Sequence, residues 1–203
     1  MTNWLHGERL EAVQAAIRTS RARSVVDLGC GDGDLFLRLA AEPGIARLVG
    51  IDVSAAALTR LRARLARAEA CARNIELRRA SLTEPDADLA GFDCAALVEV
   101  LEHIDPSHLS QLERAVFVRL HPMTVVVTTP NAEFNPLLGV PGHRFRHRDH
   151  RFEWTRGRFR SWAGRVAATT GYVVTVADIA GRHPDLGGAS QLALFQKAAS
   201  TKE

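Results

Sequence analysis

Apolar residues recur at helical spacing from Leu5 to Ile17, and then condense into a short β-branched run over Ser24–Leu28. The first pattern predicts an amphipathic helix in the N-terminal segment 1–24, the second a buried strand. The same alternation continues along the chain. A turn at Gly29–Asp34 opens a helix at Leu35–Ala41, which Pro43-Gly44 punctuates. A strand at Arg47–Val53, carrying Asp52 near its end, leads to an alanine-, leucine- and arginine-rich helix over Ala55–Cys71. Strands follow at Ile75–Ala80 and Phe92–Val98. Leu109, Leu112, Val116 and Leu120 share one face of a helix predicted over Pro106–Leu120, and a strand follows at Thr124–Thr129. From Asn131 to Arg151 hydrophobicity drops and Pro136, Gly139, Pro141 and Gly142 interrupt the pattern. A loop of that length in a compact domain is usually functional or disordered, so residues 131–154 are read as a functional insert. Phe159, Trp162 and Val166 stripe a last helix over Thr155–Thr170. Strands at Tyr172–Ile179 and Gln191–Gln196 close the chain across a glycine-rich loop.

Strands alternating with helices predict an α/β fold with a mostly parallel, doubly wound sheet covered on both faces. The last two strands have no helix between them, which suits an antiparallel hairpin at one edge. In such sheets ligands bind outside the carboxyl ends of the strands, where strand order reverses. A chain of 203 residues is read as a single domain, 1–203.

Composition narrows the setting. There is no apolar run long enough to span a bilayer and no apolar signal core at the start, so no membrane partner is expected. Cys30, Cys71 and Cys94 are scattered and odd in number, without a CxxC. That argues for a reducing, cytoplasmic setting and against a disulfide framework or thiolate zinc site. The net charge of +3 is unevenly spread: Arg144, Arg146, Arg148, Arg151, Arg156, Arg158 and Arg160 crowd one segment against Asp149 and Glu153. Arginine suits phosphate, but charge alone leaves a solvated face equally open.

Two motifs carry candidate chemistry. In VVDLGCGDG, residues 25–33, Gly29, Gly31 and Gly33 let the chain turn sharply and let backbone amides approach a ligand. Asp52 follows Gly33 by 19 residues, at the end of the second strand, where a carboxylate can accept from both ribose hydroxyls. In EVLEH, Glu99, Glu102 and His103 stand at i, i+3 and i+4, the spacing of one helical face, directly after a strand. Carboxylates at the end of a buried strand are costly unless something cationic meets them. With His150 they make a set of two carboxylates and two imidazoles that a divalent ion could share. The plain alternative is a helix-capping histidine beside a solvated glutamate.

The glycine pattern, with Asp27 ahead of it, resembles Rossmann-like class I S-adenosylmethionine-dependent methyltransferases. The resemblance implies that Asp27 serves the methionine end of the cofactor. Gly29 and Gly31 line it, Asp52 holds its ribose, and Ser81 and Leu82 flank its adenine. Cys30 is expected to fill space behind the loop.

A more specific resemblance rests on EVLEHI, VVVTTPNAEFN, RHRDHRFEWTR and the late QLALF, and covers most of the chain. These segments resemble the RNA 3′-terminal 2′-O-methyltransferases, which include small-RNA methyltransferases of the Hua-enhancer type and bacterial RNA-repair relatives. The resemblance makes Glu99, Glu102, His103 and His150 metal ligands, with His147 and His143 as further candidates and His147 as a possible proton acceptor. A mixed carboxylate–imidazole set suits Mg²⁺ or Mn²⁺ first, with Co²⁺ and Zn²⁺ also compatible. The implied reaction is methylation of the terminal ribose 2′-hydroxyl, with the arginine cluster on the last phosphates of an RNA 3′ end. Asn131, Phe134 and Asn135 are expected to shape the pocket, Phe134 either stacking on a base or packing.

Relatives often carry an RNA-recruiting region ahead of this domain. With only Met1–Ser24 there, recruitment by an RNA-repair or RNA-recruiting partner is expected, or a short substrate, or a longer parent chain. The absence of a double-strand-binding module leans toward RNA repair. Two other classes are compatible with the residues: a small-molecule O-methyltransferase acting on a metal-chelated diol, and a non-catalytic subunit that binds cofactor or RNA.

Overall fold

The computed structural model describes residues 3–84 and 87–198; Met1 and Thr2 of the expected N-terminal helical segment lie outside them. The strands are β1 (Ser24–Leu28), β2 (Arg47–Asp52), β3 (Asn74–Arg79), β4 (Cys94–Val98), β5 (Thr124–Pro130), β6 (Tyr172–Ile179) and β7 (Ser190–Lys197). They form one seven-stranded sheet in the order β3-β2-β1-β4-β5-β7-β6. The first five strands pair in parallel; β7 runs antiparallel between β5 and β6. The expected terminal hairpin is therefore present, with β7 inside it and β6 at the edge.

Alternation along the strands sends successive side chains to opposite faces. Val26, Val49, Ile51, Ala95, Leu97, Val125 and Val127 enter a core with Val116 and Phe117 and with Phe159, Trp162 and Val166 of α5 (Arg156–Thr170). Val25, Leu48, Cys94, Ala96 and Val126 enter the other, with Leu10, Val13 and Ile17 of α1 (Asn3–Thr19), Phe36 and Leu39 of α2 (Asp34–Ala40), and Leu58 and Leu61 of α3 (Ala55–Leu65). Two buried layers on one sheet are the doubly wound architecture the sequence predicts. Among the described residues no helix is long and apolar enough to cross a membrane. The three cysteines are free, Cys30 and Cys94 buried and Cys71 exposed.

Two helices differ from expectation. α3 is capped by Ser54, whose Oγ accepts from Ala57 N, but it stops at Leu65 rather than Cys71. The amides of Cys71 and Ala72 instead donate to the Ala40 carbonyl at 2.8 and 3.1 Å, capping the end of α2. A tertiary hydrogen bond overrides good helix propensity. The segment Pro106–Leu120 is helical throughout, but as a 3₁₀ turn (Pro106–His108), α4 (Leu109–Arg114) and π-helical turns (Ala115–Leu120).

Strand order reverses between β1 and β4, so the residues following those strands face one crevice. A side chain could not replace the hydrogen of Gly29, where φ is +82°: its Cβ would lie 2.7 Å from Val100 Cγ2.

Candidate cofactor and metal site

The glycine-rich turn is held against β2. Gly29 N and Cys30 N both donate to Ile51 O, at 2.8 and 3.0 Å. Asp52, at the end of β2, is fixed by two backbone amides: Gly31 N donates to Oδ2 at 2.9 Å and Ser54 N to Oδ1 at 2.8 Å. A cavity of about 390 Å³ opens between the β1 and β4 ends, with Gly29, Asp52, Ser81, Leu82, Val100 and Ile104 in its walls. Four of the predicted cofactor residues thus share one cavity, with a carboxylate at one side and apolar walls at the other. Asp27, in β1 two residues ahead of Gly29, is buried, and its Oδ2 has no hydrogen-bond partner. Burial, and then the charge of Asp52, raise the Asp27 carboxyl to a pKa of about 7. An unpartnered buried carboxylate just ahead of the glycine turn fits a cofactor that brings positive charge.

The second cluster forms where the β4 end meets the insert. Glu102, His103 and His150 offer ligand atoms that all lie within 4.8 Å of one another. The His103 and His150 rings meet edge to face, centroids 4.8 Å apart. Glu102 is 0 % exposed. Its Oε2 accepts from Thr129 Oγ1 at 2.9 Å, while Oε1 is buried without a partner. Burial, and then the neighbouring Glu99, raise its pKa well above the ordinary carboxylate value. A fully buried carboxylate with one unpartnered oxygen, clustered with two imidazoles, fits a metal ligand set.

Glu99 stands outside that triplet. The helical spacing expected for EVLEH is broken, because Glu99 has φ +55° and only Leu101–His103 forms a 3₁₀ turn. Left-handed backbone at a non-glycine residue is strained, and here hydrogen bonds impose it. Glu99 N donates to Thr128 O and Oγ1, and Thr128 Oγ1 donates back to Glu99 Oε1 at 3.0 Å. Glu99 Oε2 pairs with Arg9 Nη1 of α1 at 3.1 Å. Glu99 lines both the cofactor cavity and a second cavity of about 510 Å³, whose walls include Leu5, Arg9, Leu138, Arg146 and His150. It marks the junction of the two.

The insert is pinned by residues whose roles sequence reasoning missed. His150 Nδ1 and Glu153 Oε1 are 2.6 Å apart, with side chains 8 % and 1 % exposed. Glu153 also accepts from Asn135 Nδ2 at 2.6 Å and Arg146 N at 2.7 Å. Burial alone would raise the Glu153 carboxyl, but these hydrogen bonds outweigh it and hold its pKa below normal. Arg146, expected among the phosphate-facing arginines, is turned inward. Its guanidinium donates to Asn135 Oδ1, to Ala189 O and to Asn131 O. Arg156 is likewise engaged, by Glu133 and Asp178. Arg144, Arg148, Arg151, Arg158 and Arg160 remain exposed. Asn131 is buried and donates to Leu186 O and Gly188 O. Phe134 packs with Leu5, Ala180 and Ala189, the packing alternative rather than base stacking. His147 is exposed, its ring centroid 5.7 Å from that of His150, and His143 is exposed as well.

The fold, glycine turn and acidic end of β2 define a class I S-adenosylmethionine-dependent methyltransferase architecture, and a family profile described as a methyltransferase domain matches residues 25–123. The methyltransferase domain of a bacterial Hen1, CtHen1-C, superposes with a TM-score of 0.85 at 37 % identity, covering 96 % of this chain and 100 % of that one. The chain belongs to this Hen1 methyltransferase-domain family. The small RNA methyltransferase HEN1 superposes at TM-score 0.86 and 33 % identity, over 98 % of this chain and 26 % of that one. The small RNA 2′-O-methyltransferase of Xenopus tropicalis is 34 % identical over 204 residues, 95 % of this chain and 55 % of its own. The chain spans about half the length of several curated relatives that it matches.

Proposed function

We propose that this chain transfers a methyl group from S-adenosylmethionine to the 2′-hydroxyl of the 3′-terminal ribose of RNA, with a divalent ion held by Glu102, His103 and His150. When bound, the cofactor supplies the methyl and the ion supplies Lewis-acid binding of vicinal hydroxyls. The single observation that carries the reading is the junction at Glu99, where a nucleoside-sized cavity meets a second one beside a buried, incompletely satisfied ligand cluster. Asp52 orients the cofactor ribose, and Leu82 and Val100 hold its adenine. Arg9 pairs with Glu99 at the junction, and Glu99 is the candidate fourth ligand beside Glu102, His103 and His150. His147 is the candidate proton acceptor at the open side. The membership of the Hen1 family and the exposed arginines beside His150 favour RNA over a small diol. An RNA-repair or RNA-recruiting partner belongs to the same proposal.

The test is transfer from labelled cofactor, with added metal, to RNAs differing only at the 3′ end. Label should enter RNA with free 2′- and 3′-hydroxyls and protect it from periodate. It should not enter 2′-deoxy or 3′-phosphate ends. Transfer to a catechol with none to any RNA would overturn the reading.

The Glu153 carboxylate at His150 Nδ1 leaves Nε2 for the cluster, the arrangement that orients metal-binding histidines. Glu153→Gln should weaken divalent-ion binding about 10- to 100-fold by calorimetry, while cofactor affinity stays near wild type. Unchanged ion affinity would remove Glu153 from this role.

A further inference from the structure

A groove of about 570 Å³ opens between α4 and α5. Its walls continue the two segments that carry the cluster. Pro106 follows His103 by three residues, and Trp154 follows His150 by four. A chain covers at most about 3.6 Å per residue, so both walls start within roughly 11–15 Å of the ligand side chains' own backbone. At the ~3.4 Å rise of a stacked strand, that upper limit corresponds to no more than about four nucleotides.

The groove has the chemistry of a single-strand track. Trp154 and Trp162 stand in its wall with their rings 5.6 Å apart and mostly buried, so they make an apolar backing, and Phe152 and Phe159 support them from behind at 4.6 and 5.7 Å. Arg158 lies over Trp154, its guanidinium carbon 5.8 Å from that ring's centre. It is exposed and, among the described residues, has no carboxylate partner. Arg151, also exposed, marks the end nearest the cluster, where its amide donates to Glu102 O at 2.6 Å. Glu113, the acid in the groove wall, is neutralised: it accepts from Trp162 Nε1 at 2.8 Å and from Arg165 at 2.7 and 3.0 Å. Exposed Ser110 and Ser161 add hydroxyls.

We infer that this groove is an RNA-binding subsite that holds the nucleotides preceding the terminal one, with Arg158 on a phosphate and the strand running past Arg151 into the cluster. An exposed guanidinium without a carboxylate partner, set over an apolar groove wall, suits a backbone phosphate of a single strand. The inference rests on RNA being the substrate and adds a length preference to it: a longer strand gains contacts that a dinucleotide cannot make.

Arg158→Glu and Ser161→Glu place a negative charge in the groove at exposed positions, so folding is not at stake in either. Each is compared with wild type in methyl transfer to a dinucleotide and to a longer single strand sharing its 3′ end. Direct binding of the longer strand is followed by fluorescence anisotropy. Wild type should prefer the longer strand in kcat/KM by about tenfold, the worth of one or two phosphate contacts. Both variants should reduce that preference to near one, through KM, and should weaken anisotropy binding and its salt dependence. A preference that survives both substitutions overturns the groove. If wild type binds the longer strand and the variants do not, yet no RNA end is methylated, the groove stands and the proposed reaction falls. If wild type binds no RNA, both fall.

Discussion

Glu102→Gln will lose methyl transfer by about a thousandfold or more and, without metal, will melt higher than the wild type. The first effect follows from its place in the cluster: a Lewis acid stabilises developing charge by several kcal/mol, and each ~1.4 kcal/mol is a factor of ten. The second follows from burial. Glu102 is fully enclosed, one oxygen has no partner, and Glu99 adds like charge nearby. Glutamine keeps the shape and the Thr129 hydrogen bond but removes the ionisable group. Relief of about 1–3 kcal/mol is expected for such a group, or about 2–4 °C per kcal/mol in a chain of this size. Divalent ions should raise the melting temperature of the wild type and not of the variant. Cofactor affinity should persist, because Glu102 does not line the cofactor cavity. Normal transfer by the variant would remove the cluster from the mechanism. A several-degree fall in melting temperature would show that the carboxylate stabilises the metal-free fold.

Asp27 sets the second large effect, a dependence of stability and cofactor affinity on pH. Its carboxyl is raised from 3.8 to about 7 by burial and by Asp52. A raised folded-state pKa means that the folded chain holds the proton more tightly than the unfolded one. The associated stability is complete below pH 3.8 and is lost as pH climbs through about 7. Three units correspond to about 4 kcal/mol at the upper end. Asp27→Asn should flatten this slope and be the more stable protein at neutral and alkaline pH. Cofactor affinity runs the opposite way. A cationic ligand near Asp27 favours the ionised carboxylate, so binding should weaken by up to about tenfold per pH unit below 7. Melting curves for both proteins across this range, with titrations of cofactor at either end, test the pair of effects. Superimposable curves would mean that Asp27 does not titrate in this range.

Much of the architecture was legible in the chain because it is written in local period and local chemistry. Strand β1 and helix α5 fall within a residue of their predicted bounds, since a β-branched run and a capped apolar stripe need no distant partner to be recognised. The glycine turn was legible for a similar reason: positive φ and the approach of Val100 admit no side chain at Gly29. Glu102, His103 and His150 were found by residue type and motif, and the fold brings them together as expected.

What the chain alone did not disclose concerns pairs that are far apart in sequence or roles set by burial. Arg9 reaches Glu99 across the interface of α1 with the β4 end, and nothing local to an amphipathic helix marks that arginine as different from its neighbours. Arg146 sits in a run of arginines that look alike, yet it is turned inward to bind Asn131, Asn135 and Ala189. The length of α3 was decided by a carbonyl on α2, and the break at Glu99 by Thr128 on β5. By itself, then, the sequence determined the order of elements, the glycine turn and the chemical types gathered at the strand ends, because those depend on side-chain period and backbone freedom. Only the tertiary structure decided which charges face each other, which arginine is enclosed and which carboxylate is left unsatisfied, because desolvation and pairing are properties of a three-dimensional environment that no short stretch of chain contains.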